Sequence, residues 1–170
     1  RVVEAALNAF GSVDVLVNNA GIGDSGPIHE QDIARWDEII AVNLRGAFLM
    51  TRAVLPNMRQ RRKGHVINIS SEAGLYYIGV NAAYSVSKYA LNGLTDCTQG
   101  ENQAFGIRAN AICPGMVITD LTREAPGLIA ENCLSPEEVA DIAVWLVTQP
   151  PNVQISEPVL VKTMLNPWKR

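Results

Sequence analysis

The sequence predicts an α/β fold, a doubly wound parallel sheet in a three-layer α/β/α arrangement. Two observations carry that expectation. First, helical stretches repeatedly end in glycine and hand over to an apolar strand: EAALNAFG into VDVLVNNA, VLPNMRQRRKG into HVINIS, and GENQAFG into IRANAICP. Second, the strands are apolar runs more than alternations, as expected when both faces of a sheet are covered. Helical crossovers make successive strands parallel and place helices on both faces.

The elements follow in order. RVVEAALNAFG reads as the last turns of a helix. Gly11, Gly64 and Gly106 suit the left-handed position that closes a helix, where a side chain would clash. IARWDEIIAVNLRGAFLM begins a long helix over 33–60, and AAYSVSKYAL begins another over 82–105. SPEEVADIAVWLV opens with Ser135 as N-cap, Pro136 at the first helical position and Glu138 closing a capping box. EPVLVKT, residues 157–163, is the last strand.

Composition bounds the function. The chain has 170 residues, enough for one domain over 1–170 with a sizeable core. A net charge of −3 argues against a nucleic-acid surface, and no long apolar run reads as a membrane span. The basic run Arg59–Lys63 suits a helix C-terminus. Cys97, Cys113 and Cys133 have no paired spacing and read as reduced thiols, in keeping with a cytoplasmic location. With only His29 and His65, no metal cluster is expected.

Ligands of open α/β sheets bind beyond the carboxyl ends of the strands. Those ends read Asn18-Asn19-Ala20-Gly21, Ser70-Ser71 and Pro114-Gly115. Each alone is plain turn chemistry; together they line one edge with small and polar groups. Tyr84 and Lys88, four apart on a helix, stand side by side. Alone, that pair is ordinary surface packing, with the lysine stem along the ring.

VLVNNAG, VNLRGAF, HVINISSEAG, YSVSK and ICPGMVITD, in that order, resemble the signature of the short-chain dehydrogenase/reductase family. The resemblance covers nearly the whole chain. It implies a Rossmann-type fold, NAD or NADP as cofactor, and hydride transfer between an alcohol and a carbonyl. It makes Tyr84 the general acid or base. A free phenol titrates near pH ~10, so Lys88 would favour the phenolate and hold the nicotinamide ribose. Ser71, thirteen residues before Tyr84 as in the family, would bind the substrate oxygen in preference to Ser70. Asn43 would mark a local helix break that anchors a water joined to the lysine; the plainer reading is an Asn bonded back to its own helix. Asn19, Ala20 and Gly21 would lie by the cofactor's adenosine side. Pro114, Gly115, Val117 and Thr119 would wrap the nicotinamide amide. Asn18 would tie adjacent strands together. Ala83, Ser85 and Ser87 would let cofactor and substrate approach. Ala73, Tyr76, Tyr77, Ile78, Met116 and the short lid 120–134 would form the substrate pocket.

The family's glycine-rich phosphate turn has no counterpart here, and Gly21, Gly23 and Gly26 follow a later strand. By resemblance the chain supplies strands 4 to 7 of the order 3-2-1-4-5-6-7, with the first three strands missing. It is therefore expected to be the catalytic portion of a longer enzyme, binding cofactor poorly when alone. The complete enzyme is expected to be a homodimer or homotetramer through the helices at 33–60 and 82–105. The competing expectation is a non-catalytic fragment that acts through the same helices.

Overall fold

A computed structural model describes residues 1–79 and 81–168. The chain runs α1 (Val2–Phe10), β1 (Val15–Asn18), α2 (Ile33–Ile40), a π-helical turn (Ala41–Gly46), α3 (Ala47–Arg61), β2 (Gly64–Ile69), α4 (Ala82–Asn102), β3 (Ile107–Pro114), α5 (Pro136–Thr148) and β4 (Val159–Val161). The four strands form one parallel sheet in the order β1-β2-β3-β4.

Side-chain alternation sorts the helices. Leu16, Val66 and Ala109 pack with Val3 of α1 and with Val54 and Met58 of α3. Their neighbours Ile67 and Ile112 point to the other face and pack with Val139 and Leu146 of α5. Thr95 of α4 accepts from Asn68, which shares the face of Val66, so α4 lies beside α3. The result is three layers, α1, α3 and α4 on one side and α5 on the other, with a core on each. Each fully buried aliphatic side chain contributes about 1.5–3 kcal/mol. Among the described strands β1 is an edge, and its Val15 and Val17 are exposed.

Two closures follow the expectation. Gly11 and Gly106 take positive φ of 76° and 70°. Ser135 accepts from the Glu138 amide while the Glu138 carboxylate accepts from the Ser135 amide, the reciprocal cap expected of that sequence. Gly64 differs. The left-handed residue that ends α3 is Arg62, φ 53°, and Gly64 already belongs to β2. Glycine is needed there for room, because a Cβ would run into the Met58 side chain. The last strand is also shorter than 157–163, since only Val159–Val161 pair with β3.

The helix Ile33–Arg61 is continuous over 29 residues and, by length and composition alone, apolar enough to cross a bilayer, which differs from the expectation that no long apolar run reads as a membrane span. One side of it packs in the core, where Val54 and Met58 are buried against β1, β2 and β3.

Candidate active site

The carboxyl ends of β1, β2 and β3 converge on the first turns of α4. Four side chains predicted from the sequence meet there: Asn43, Ser71, Tyr84 and Lys88. Asn43 sits inside the π-helical turn and is buried. Such turns occur as single bulges within α-helices, often at functional sites. Its amide is turned outward from its own helix. The nitrogen donates to the Ile22 carbonyl and to the Ser87 hydroxyl at 2.9 Å each, and the oxygen accepts from the Ile22 amide at 2.8 Å. One carboxamide therefore clasps the loop after β1 and joins it to α4. The local break expected at Asn43 is present, and a bond back to its own helix is not among its contacts.

Lys88 is buried, and its ammonium donates to the Ile69 carbonyl at 2.8 Å. It also lies 5.4 Å from the centre of the Tyr84 ring. Burial pushes the ammonium from 10.5 down to about 8. Burial pushes the Tyr84 phenol above 10, while a hydrogen bond with the Ser71 hydroxyl pulls it back. Among the groups of this chain, Ser71 is thus the one that lowers the phenol; the lysine's part in that was the sequence expectation.

Ser71 is extended, φ −166° and ψ 159°, and its hydroxyl accepts from the Ala73 amide at 3.1 Å as it caps a turn of 3-10 helix. The neighbouring Ser70 is buried and faces away, donating to the Lys88 carbonyl at 3.1 Å. Two serines adjacent in sequence therefore have different surroundings, and only Ser71 meets the phenol.

Gly21 approaches this group closely: a Cβ there would lie 3.5 Å from the Lys88 ammonium and 3.6 Å from the Asn43 amide oxygen. Asn19 and Ala20 are exposed at the same strand end. Pro114 ends β3, and the Gly115 amide donates to Val161 of β4. Val117 and Thr119 belong to the stem of the lid. Met116 and Ile118 pair with Leu134, and Thr119 contacts Thr122. Asn18 donates to Asn68 at 2.7 Å and to Thr51 at 3.2 Å, tying β1 to β2 and α3 as expected.

Two expectations change. Ser87 does not leave open space, because it is buried, accepts from Asn43 and donates to the Tyr84 carbonyl. Ser85 likewise donates to Asn81. Tyr76 and Leu121 of the lid belong to the expected pocket, whereas Glu72 and Lys162 escaped the sequence expectation. Leu121 reaches over Gly23 toward Tyr84, each about 3.6 Å from where a Gly23 Cβ would be. Glu72, Tyr76 and Lys162 form a closed triangle across Gly115: Lys162 lies 2.8 Å from Glu72 and 3.0 Å from the Tyr76 hydroxyl, which donates to Glu72 at 2.8 Å. Nothing local in the sequence links Lys162 to Glu72; only the pairing of β3 with β4 brings them together.

Comparison with known proteins identifies the family and the fold. The family model of the short chain dehydrogenases matches residues 1–127. A 3-alpha-(or 20-beta)-hydroxysteroid dehydrogenase of Mycobacterium bovis is 41% identical over 150 residues, covering 86% of this chain and 58% of the relative. A D-beta-hydroxybutyrate dehydrogenase of Cupriavidus necator is 41% identical over 145 residues, covering 85% of this chain and 56% of the relative. An alcohol dehydrogenase structure from the archaeon Thermococcus sibiricus, complexed with 5-hydroxy-NADP, superposes with a TM-score of 0.85 at 28% identity, covering 95% of this chain and 68% of that one. The chain spans somewhat over half the length of the two curated relatives. It belongs to the short-chain dehydrogenase family.

Proposed function

We propose that this site interconverts a small-molecule alcohol and its carbonyl with NAD or NADP, Tyr84 moving the proton. The observation that carries the reading is the convergence of Tyr84 and Lys88 of α4 with Ser71 and Asn43 from two other segments. The bound dinucleotide supplies or accepts the hydride. The fit to it rests on two features: the bare approach at Gly21, and a buried ammonium of which one hydrogen is taken by Ile69. The remaining hydrogens of Lys88 suit the ribose hydroxyls of a nucleotide. Asn19, Ala20 and Gly21 would face the adenosine side, and Pro114, Gly115, Val117 and Thr119 the nicotinamide side.

In the oxidative direction the Tyr84 phenolate takes the alcohol proton, and in the reductive direction the phenol returns it. Ser71 donates to the substrate oxygen as charge develops there. Deprotonating Tyr84 near neutral pH requires positive charge, because burial alone raises its pKa. A protonated Lys88 and the oxidised nicotinamide would supply it. Asn43, held by Ile22 and Ser87, would place a water within reach of the lysine. Secondary alcohols are the substrate class favoured by the hydroxysteroid and hydroxybutyrate relatives. Assembly of copies would use the outer faces of α2, α3 and α4, where Ile40, Leu44, Phe48 and Leu94 line an apolar groove. A cytoplasmic location goes with this reading.

The test is steady-state turnover of a panel of secondary alcohols with each cofactor. Tyr84→Phe should abolish turnover while keeping fold and cofactor affinity. Ser71→Ala should lower kcat by about 10²–10³, the scale for losing one oxyanion donor, and Ser70→Ala by much less. Near-normal kcat in Tyr84→Phe, or the reverse order of the serines, would refute the roles.

A further inference from the structure

We propose that Asn92 is a positioning residue that fixes Ser71 relative to Tyr84, acting with Cys113 as its orienting partner. The inference rests on the roles read above for Ser71 and Tyr84. Tyr84, Lys88 and Asn92 follow one another at four-residue steps on α4, so they lie along one side of it. The first two form the reacting group. The third reaches back to the loop that carries the serine, its amide nitrogen donating to the Gly74 carbonyl at 3.0 Å. That bond is buried, and Asn92 is itself 9% exposed.

The same loop is fastened at its other end. Ser70, just before Ser71, donates to the Lys88 carbonyl at 3.1 Å. Between these points Gly74 lies flat on the helix: a Cβ would come 2.8 Å from the Lys88 carbonyl carbon and oxygen. Ser71 is therefore bracketed by contacts that all end on α4 between Lys88 and Asn92. The 3-10 turn Glu72–Gly74 is too short to hold itself. Its place is set by the helix.

Cys113 explains why the amide faces the right way. A carboxamide can bind Gly74 only with its nitrogen, which leaves its oxygen needing a donor. The Cys113 thiol sits 3.7 Å from that oxygen and donates to it. The cysteine is fully buried at the end of β3, and Ser70 and the Ser71 backbone also contact its sulfur. Its surroundings raise the thiol pKa through burial, so it remains a protonated donor at neutral pH. A donor is what Asn92 requires.

The consequence is readable at Tyr84 without turnover. Ser71 lowers the phenol pKa, so any change that moves Ser71 away raises it. The experiment is a spectrophotometric titration of the tyrosines in the 1–170 chain, subtracting the same background carrying Tyr84→Phe. Ser71→Ala calibrates the upward shift. Asn92→Leu should shift the Tyr84 midpoint in the same direction by a comparable amount. The Cys113 pair is read by kcat at neutral pH, because an ionised Cys113 itself raises the Tyr84 pKa: Cys113→Val should lower kcat as Asn92→Leu does, whereas Cys113→Ser, which keeps a donor, should stay near wild type. In the turning-over enzyme Asn92→Leu should lower kcat about tenfold or more with cofactor KM little changed, since a displacement of about 1 Å at a catalytic group costs on this scale.

A wild-type midpoint in Asn92→Leu, with Ser71→Ala shifted, overturns the proposal and leaves the Ser71 role intact. No shift in Ser71→Ala itself overturns both. If Asn92→Leu fails to fold, the Cys113 pair decides: equal kcat at neutral pH in the valine and serine variants overturns the orienting role and the proposal with it.

Discussion

Replacing Lys88 with methionine should make the protein more stable at neutral pH while removing its activity. The reasoning starts from burial. Lys88 is 3% exposed, and its ammonium is bonded to the Ile69 carbonyl. In the unfolded chain a lysine binds its proton up to about pH 10.4; in the fold, burial lowers this to about 8. Between those values the unfolded chain holds the extra proton, so stability rises with pH across the window. Below pH 8 both states are charged and the full burial penalty stands. It amounts to about 3 kcal/mol, at 1.36 kcal/mol for each pH unit of displacement. Methionine fills a similar volume without the charge. It loses the bond to Ile69, worth about 0.5–1.5 kcal/mol, so the net gain should be about 2 kcal/mol at pH 7. Urea denaturation of Lys88→Met and wild type at pH 7 and pH 9.5 measures it. The advantage should be clear at pH 7 and mostly gone at 9.5. A less stable variant at pH 7, or a difference independent of pH, would refute the account.

Two glycine substitutions should move stability in opposite directions. At Gly74 a Cβ would collide with the backbone of Lys88, so Gly74→Ala should cost about 1–3 kcal/mol. At Gly100, an exposed position inside α4 with nothing near a Cβ, Gly100→Ala should gain up to about 1 kcal/mol. Thermal melts separate the two at about 2–4 °C per kcal/mol. His65 is buried, and burial holds its pKa below 6.5. The unfolded chain therefore binds the extra proton below pH 6.5, and stability should fall with acidification through that range. His65→Gln should flatten this part of a denaturation series; an unchanged slope would remove His65 as its cause.

Much of this architecture was legible because it is written locally. Helix closures at Gly11 and Gly106, the cap Ser135–Glu138 and the apolar strands are near-neighbour patterns. The pair Tyr84–Lys88 is also local, and the interval to Ser71 follows from a resemblance. What escaped depends on which elements become neighbours in space. Asn92 carries a visible signal, the continued four-residue step after Tyr84 and Lys88, but its partners Gly74 and Cys113 come from other segments. The Glu72–Tyr76–Lys162 triangle spans residues 72 to 162 and requires the β3–β4 pairing first. Gly64 was misplaced for a different reason. A glycine after a helix has two uses, positive φ or close packing, and only the position of Met58 decides between them.

The wide turn at Ala41–Gly46 does more than turn the Asn43 amide outward. Each residue of a helix rotates the chain by about 100°, so a bulge sets the phase of everything after it. Thr51, Val54 and Met58 face the sheet because α3 begins at the angle this bulge dictates. Deleting one residue to restore a regular helix would swing that buried row roughly a quarter turn off the core. The helix cannot be made regular without unpacking the protein. The bulge that frees Asn43 is for that reason locked in by the core, and the irregularity at the site is inherited with the fold.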